Sequence, residues 1–236
     1  MLKNNMSHTS PSIVVFGDNL KALAQIATSH IDLIYIDPPF NTGKTQSRTR
    51  IRTVSSENGN RIGFQGKGYA TEKLGTTAYS DSFEDYLDFM EPRLREAHRV
   101  LAPSGLLYVH LDYHEVHYVK VLLDQIFGRD CFQNEIIWAY DYGAKPKTKW
   151  PPKHDNILVY SKDPKSFTFN VEDIDRIPYM APGLVSKEKA EKGKLPTDVW
   201  WHSIVGTNSK ERTGYATQKP LGILKRIITA SSQPRA

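Results

Sequence analysis

The run Ile31-Asp32-Leu33-Ile34-Tyr35-Ile36 ends on Asp37-Pro38-Pro39-Phe40, and this junction constrains the fold more than any other stretch of the chain. A short apolar run rich in β-branched residues predicts a buried strand, and Pro-Pro cannot extend it, so the chain must turn there. The turn leaves one carboxylate, one aromatic ring and carbonyls without competing amide N–H groups at the carboxyl end of a strand. In open α/β sheets that edge is where ligands bind. These groups suit the activation of an exocyclic amine on a nucleobase, whose lone pair is delocalised into the ring. Acceptors on both N–H bonds would draw the nitrogen towards tetrahedral geometry. Asp37 could be one acceptor and the Pro38 carbonyl the other, with Pro38 and Pro39 making the turn rigid. Phe40 could stack on a base swung out of a helix, a contact of ~1–3 kcal/mol. Taken alone, four residues are more often a plain proline turn with Asp as a local cap. The surroundings decide.

A coarse pass predicts alternating strands and helices. Ile13–Phe16 reads as a strand, Asp18 caps a helix through Ala27, and the Asp37 strand follows. Residues 41–80 show little periodicity and many Gly, Ser, Thr and Arg, and read as a long mobile loop. Its Gly63-Phe64-Gln65-Gly66-Lys67-Gly68 follows no strand and opens no helix, which removes a nucleotide-loop reading. Ser82-Phe83-Glu84-Asp85 resembles a capping box for a helical stretch to Leu101, interrupted at Pro92. Leu106–Leu111 reads as a strand, a helix runs to Phe127 with Gly128 closing it, and Ile136–Tyr140 and Asn156–Tyr160 are further strands. The pattern predicts an α/β fold with a mainly parallel sheet covered by helices on both faces.

The net charge of +5 over 236 residues is modest but concentrated. Lys44, Arg48, Arg50 and Arg52 fall between Gly43 and Val54 without an acid, and Lys145, Lys147, Lys149 and Lys153 fall between Tyr142 and His154, interleaved with Trp150 and prolines. Any single lysine there could equally belong to a solvated loop. Together the clusters favour double-stranded DNA, with Lys44, Arg48, Lys145, Lys147, Lys149 and Lys153 as phosphate contacts. The lone Cys131 excludes an internal disulfide and a cysteine-based zinc site. His110, Asp112, His114 and His117 straddle a strand-to-helix transition, so they need not share a face, and no metal is expected. Residues 1–12 are polar and expected to be disordered, and no apolar run approaches the roughly 20 residues of a membrane span, so a cytoplasmic protein is expected.

The ordered series Phe16-Gly17-Asp18-Asn19-Leu20, Asp32 to Gly43, Tyr79 to Phe83, Gly105 to Asp112, Asn134 to Trp138, Lys153-His154-Asp155, Asp198-Val199-Trp200 and Gly214 to Pro220 resembles the beta class of amino-DNA methyltransferases over nearly the whole chain. The resemblance implies a Rossmann-like methyltransferase domain and base flipping, followed by direct methyl transfer from S-adenosylmethionine to an exocyclic amine. Asp at the first motif position favours adenine-N6, because cytosine-N4 members often carry Ser there. It further implies a catalytic half at 13–140, a target-recognition region at 141–197 and the start of a cofactor-binding half at 198–236. Thr217 and Lys219 of Thr217-Gln218-Lys219-Pro220, together with Asp18 and Asp37, are the implied cofactor residues, and Pro220 would open a helix Leu221–Ser232 whose positive end holds a carboxylate. A homodimer or a restriction subunit is the implied partner.

The glycine-rich turn of the Asp-Pro-Phe-x-Gly-Ser-Gly type, with its strand, does not occur among the 236 residues. Without that strand the Asp37 strand would stand at a sheet edge, and this chain alone is expected to bind cofactor weakly or not at all. Three readings follow: a truncated adenine methyltransferase of a restriction-modification or regulatory system, a non-catalytic remnant that at most binds DNA, and, less favoured, methylation of a protein or RNA amine.

Overall fold

A computed structural model describes residues 12–56, 61–62, 68–143, 146–215 and 217–233. It divides into two compact units, one comprising Met1–Pro38 and Asp85–Ala236, the other Pro39–Glu84.

The larger unit is built on a five-stranded sheet of β1 (Ile31–Ile36), β5 (Leu101–Leu111), β7 (His154–Ser161), β6 (Phe132–Ala139) and β8 (Val199–Trp201), in that spatial order. The β1–β5 and β6–β8 pairings are parallel, whereas β5–β7 and β6–β7 are antiparallel. The sheet is therefore mixed rather than mainly parallel. Only a basic loop separates β6 from β7, and so short a connection returns a strand antiparallel. The middle strand β7 lies inside the segment 141–197 that the sequence assigned to target recognition, and its last seven residues are buried.

Helices cover both faces. On one, α5 (Leu221–Ser231) lays Ile223 and Ile227 on a cluster of Leu106, Tyr108, Ile136, Trp138, Ile157, Val159 and Trp200. These strand positions alternate, as the pleat demands. On the other, α3 (Val116–Phe127) packs with α2 (Tyr86–Val100), and the fully buried Tyr160 donates its hydroxyl to Asp124 Oδ1 of α3 at 2.7 Å. Burial, and then the Asp124 carboxylate, push this phenol well above its ordinary range, so it stays a donor. Tyr160→Phe removes that bond and is expected to cost about 1–2 kcal/mol, read by denaturant unfolding.

Asp85, not Ser82, caps α2, accepting from the Leu87 and Asp88 N–H groups, and the helix continues through Pro92. Gly128, at φ +89°, closes α3 as expected. Ile13–Phe16 pairs with no strand among the described residues and is exposed, and α1 is only Asn19–Leu23. A further short helix, α4, spans Lys187–Lys192. Among the described residues no helix is long and apolar enough to cross a membrane.

In the smaller unit the expected loop is instead β structure. β2 (Lys44–Ser55) pairs antiparallel with β4 (Gly68–Asp81), which also takes the two-residue β3 (Arg61–Ile62). Asp81, 2% exposed, accepts from the Asn41 N–H at 2.8 Å and from the N–H and hydroxyl of Thr42. Asn41 sits at φ +56°, a left-handed position that Asn tolerates, and its Oδ1 accepts from the Phe83 N–H at 3.0 Å. Both ends of the hairpin unit are thereby tied together.

Candidate functional site

Asp37 leaves the carboxyl end of β1, and 182 residues later in the chain Lys219 returns to it: the ammonium lies 2.7 Å from Asp37 Oδ2. The side chains are 24% and 13% exposed, so the pair is screened on most sides yet reachable. Lys219 is delivered by the turn before α5, where Pro220 holds φ −61° and its carbonyl accepts the Ile223 N–H at 3.1 Å. Pro220 thus stands just before the helix, which spans Leu221–Ser231.

Gln218 shapes the approach to Lys219. Its Oε1 accepts from the N–H and hydroxyl of Thr213, and its Nε2 donates to the Glu211 carbonyl at 2.8 Å. Glu211 Oε2 in turn accepts the Leu221 N–H at 3.1 Å, placing a carboxylate at the positive end of α5. The two groups expected to hold a cofactor carboxylate, Lys219 and the α5 N-terminus, therefore each hold a protein carboxylate here. Their donor chemistry fits such a ligand. Thr217 is exposed beside them, and Ala216 lies outside the described residues.

The other expected site residues are placed less compactly. Asp18 caps α1 through the Leu20 N–H at 3.1 Å and binds Arg93 of α2 at 2.9 Å. The Leu20 hydrogen bond and the Arg93 guanidinium hold its carboxyl below the usual range. Pro38 ends the first segment of the larger unit, and Pro39 and Phe40 open the smaller one. Lys44 and Arg48 lie on β2, with side chains outside the description, and Lys145 lies outside the described residues altogether. Lys147 and Lys149 are exposed, as is Trp150 at 94%. Lys153 Nζ donates to the carbonyls of Tyr142 and Gly143, closing the base of the basic loop.

The histidine-rich stretch separates. His110 is fully buried and faces Asp155, whereas Asp112 pairs with His114 at 2.7 Å. No group of three or more His, Cys, Asp or Glu suited to a metal occurs among the described residues. Sequence reasoning missed Glu211, Gln218, Tyr35 and Asp155 as members of this neighbourhood, although Tyr35, Gln218 and Asp155 lie in recognised motifs.

Comparison with known proteins gives a consistent picture. The N6/N4 methyltransferase family, described as DNA methylase, matches residues 31–236. The type II methyltransferase M.HpaI of Haemophilus parainfluenzae is 32% identical over 219 residues, covering 93% of this chain and 59% of that protein. The DNA adenine methyltransferase YhdJ of Escherichia coli K12 is 27% identical over 229 residues, covering 94% of this chain and 67% of its own length. The chain thus spans a little over half to two thirds of these relatives. Among solved structures, the cytosine-N4-specific PvuII DNA methyltransferase superposes with a TM-score of 0.56 over 92% of this chain and 69% of that one, at 12% identity, and shares its Rossmann-like fold.

Proposed function

The chain belongs to the N6/N4 DNA methylase family, and on that ground we propose that it transfers a methyl group from S-adenosylmethionine to the exocyclic amine of a flipped base in DNA, adenine-N6 in the first instance. The observation that supports the reading is the Asp37–Lys219 pair, which joins the turn assigned in this proposal to the amine with the segment assigned to the cofactor. Asp37 and the Pro38 carbonyl would hold the two amine hydrogens, and Phe40 would stack on the base. Lys219, Thr217 and the amino end of α5 would hold the methionine carboxylate, and Asp18 remains assigned to the cofactor side. S-adenosylmethionine supplies an electrophilic methyl group; the protein's part is to orient the amine and exclude water. The adenine assignment rests on Asp37 heading the motif and on a relative named as an adenine enzyme.

Relatives named as type II methyltransferases and as Mod subunits of type III restriction-modification enzymes support a restriction-modification setting, with a restriction subunit or a second copy as partner. A DNA substrate in turn implies a cytoplasmic enzyme. The test is incorporation of labelled methyl groups from S-adenosylmethionine into unmethylated genomic DNA by the purified chain, with the product nucleoside identified by mass spectrometry. N6-methyl-2′-deoxyadenosine is the expected product. Retarded DNA without label would favour the reading as a DNA-binding remnant, and label only in protein or RNA would overturn the DNA assignment.

Lys147 and Lys149 are expected to act through phosphates, with Lys44, Arg48 and Lys145 alongside them. Replacing Lys147 or Lys149 by Ala should weaken DNA binding evenly across sequences and lower the salt slope by about one each, measured by anisotropy titration at several ionic strengths. Lys153 holds the loop's own carbonyls, so Lys153→Ala is expected to disturb the loop as well.

A further inference from the structure

Four side chains outside the proposed chemistry form a hydrogen-bonded series beneath the Asp37 turn. Tyr35 Oη lies 2.7 Å from His110 Nδ1, His110 Nε2 lies 2.9 Å from Asp155 Oδ2, and the Tyr140 hydroxyl donates to Asp155 Oδ1 at 2.9 Å. His110 is fully buried and Asp155 is 8% exposed. The imidazole is also met edge-on by Trp138, with ring centroids 5.5 Å apart.

The donors and acceptors fix the proton positions. An ionised carboxylate only accepts, so Asp155 requires the hydrogen of His110 on Nε2. In a neutral ring Nδ1 is then an acceptor and takes the Tyr35 hydroxyl. Burial raises the Tyr35 phenol well above its usual range, and the carboxylates of Asp37 and Asp155 reinforce the effect, keeping it a donor.

The positions matter as much as the bonds. The β1–β5 register pairs Ile36 with Val109, and its next step carries Asp37 to the level of His110. Tyr140 and Asp155 flank the basic loop, whose ends are also joined by the Tyr140 N–H to the Lys153 carbonyl at 2.9 Å. We infer that His110 is a positioning residue for methyl transfer: held as the Nε2–H tautomer by Asp155, it anchors Tyr35 through Nδ1 and ties the end of β1, where Asp37 emerges, to both ends of the basic loop. The inference rests on Asp37 being the amine acceptor.

The test uses the whole chain and near-isosteric variants. In Asp155→Asn the carboxamide oxygen stays with the Tyr140 hydroxyl and its N–H₂ turns to His110 Nε2. The ring hydrogen then moves to Nδ1, so the Tyr35 hydroxyl must turn to accept it and its own hydrogen loses that acceptor. Tyr35→Phe removes that hydroxyl. Nitrogen-15 shifts should report Nε2–H in the parent and Nδ1–H in Asp155→Asn. Each variant should speed amide exchange at Tyr35–Asp37 by about tenfold or more, with Ile136 and Ile157 unchanged, and should lower kcat by about tenfold or more with KM for DNA nearly constant. The double variant should add little to the worse single, since the tautomer no longer matters once the hydroxyl is gone. An Nδ1–H tautomer in the parent, unchanged exchange at Tyr35–Asp37, exchange accelerated evenly over the core, or unchanged kcat in both variants would overturn the inference. A parent chain that transfers no methyl group sinks the functional reading instead, and the tautomer and exchange measurements still decide this one.

Discussion

Asp37→Ala is expected to lower methyl transfer by about 10³-fold or more, or roughly 4 kcal/mol of transition-state stabilisation, while DNA binding stays within a few-fold. The size follows from what the carboxylate is asked to do. As the amine nitrogen attacks, it passes from planar and conjugated to tetrahedral and positive, so an anionic acceptor on its N–H gains strength along the reaction coordinate. An interaction that strengthens only in the transition state appears in kcat rather than in binding. Stability should hardly change, because the Asp37–Lys219 pair is partly solvated and such pairs contribute only about 0–1 kcal/mol. Asp37→Asn separates geometry from charge: it keeps one acceptor oxygen and should retain more activity than Ala. Labelled-methyl kinetics at saturating DNA and S-adenosylmethionine are the measurement, and an Ala variant within about tenfold of the parent would remove Asp37 from the mechanism.

The parts of the fold that could be read in advance are those where one periodicity dominates. The strand Ile31–Ile36, the helix closed by Gly128 and the amphipathic helix after Pro220 all formed, with ends shifted by a residue or so. The stretch 41–80 reads as a loop, yet forms β2, β3 and most of β4, for a physical reason. Thr, Arg, Ser and Lys recur through its sequence, so the apolar alternation that marks a half-buried strand is missing, and the Thr and Tyr content is the one available signal. Ile13–Phe16 failed the other way, since apolar β-branched composition does not supply a pairing partner. Of the site, Asp37 and Lys219 were both named, but their direct contact was not, because spacing along a chain says nothing about two residues 182 apart. The Tyr35–His110–Asp155–Tyr140 series was invisible for the same reason: its members come from β1, β5, the start of β7 and the residue after β6.

Ile227→Ala is expected to cost about 2–3 kcal/mol, the lower part of the range for truncating a buried Ile. Ile223, Ile227 and Ala230 are the buried apolar positions of α5 and, at 1%, 1% and 6% exposure, dock it on the sheet. Truncation of a sealed core residue would sit higher in that range, but Ile227 already lines a cavity of about 260 Å³ shared with Tyr108, Phe167, Trp200 and Arg226. Removing its outer carbons extends an existing space instead of opening a new one, and Phe167 and Trp200 can close on it. The helix is also pinned at its far end, where the Tyr108 and Ser231 hydroxyls meet at 2.6 Å and Asn170 Nδ2 donates to the Thr229 and Ser232 carbonyls. Loosening should therefore reach the amino end of α5, and with it Lys219, more than the helix as a whole. Urea unfolding at 25 °C measures the first effect, and a loss under about 1 kcal/mol would mean that α5 is held by its end bonds rather than by this face. S-adenosylmethionine affinity measures the second: it should fall together with stability in Ile227→Ala and stay near the parent value in Tyr160→Phe, whose lost bond lies on the opposite face of the sheet.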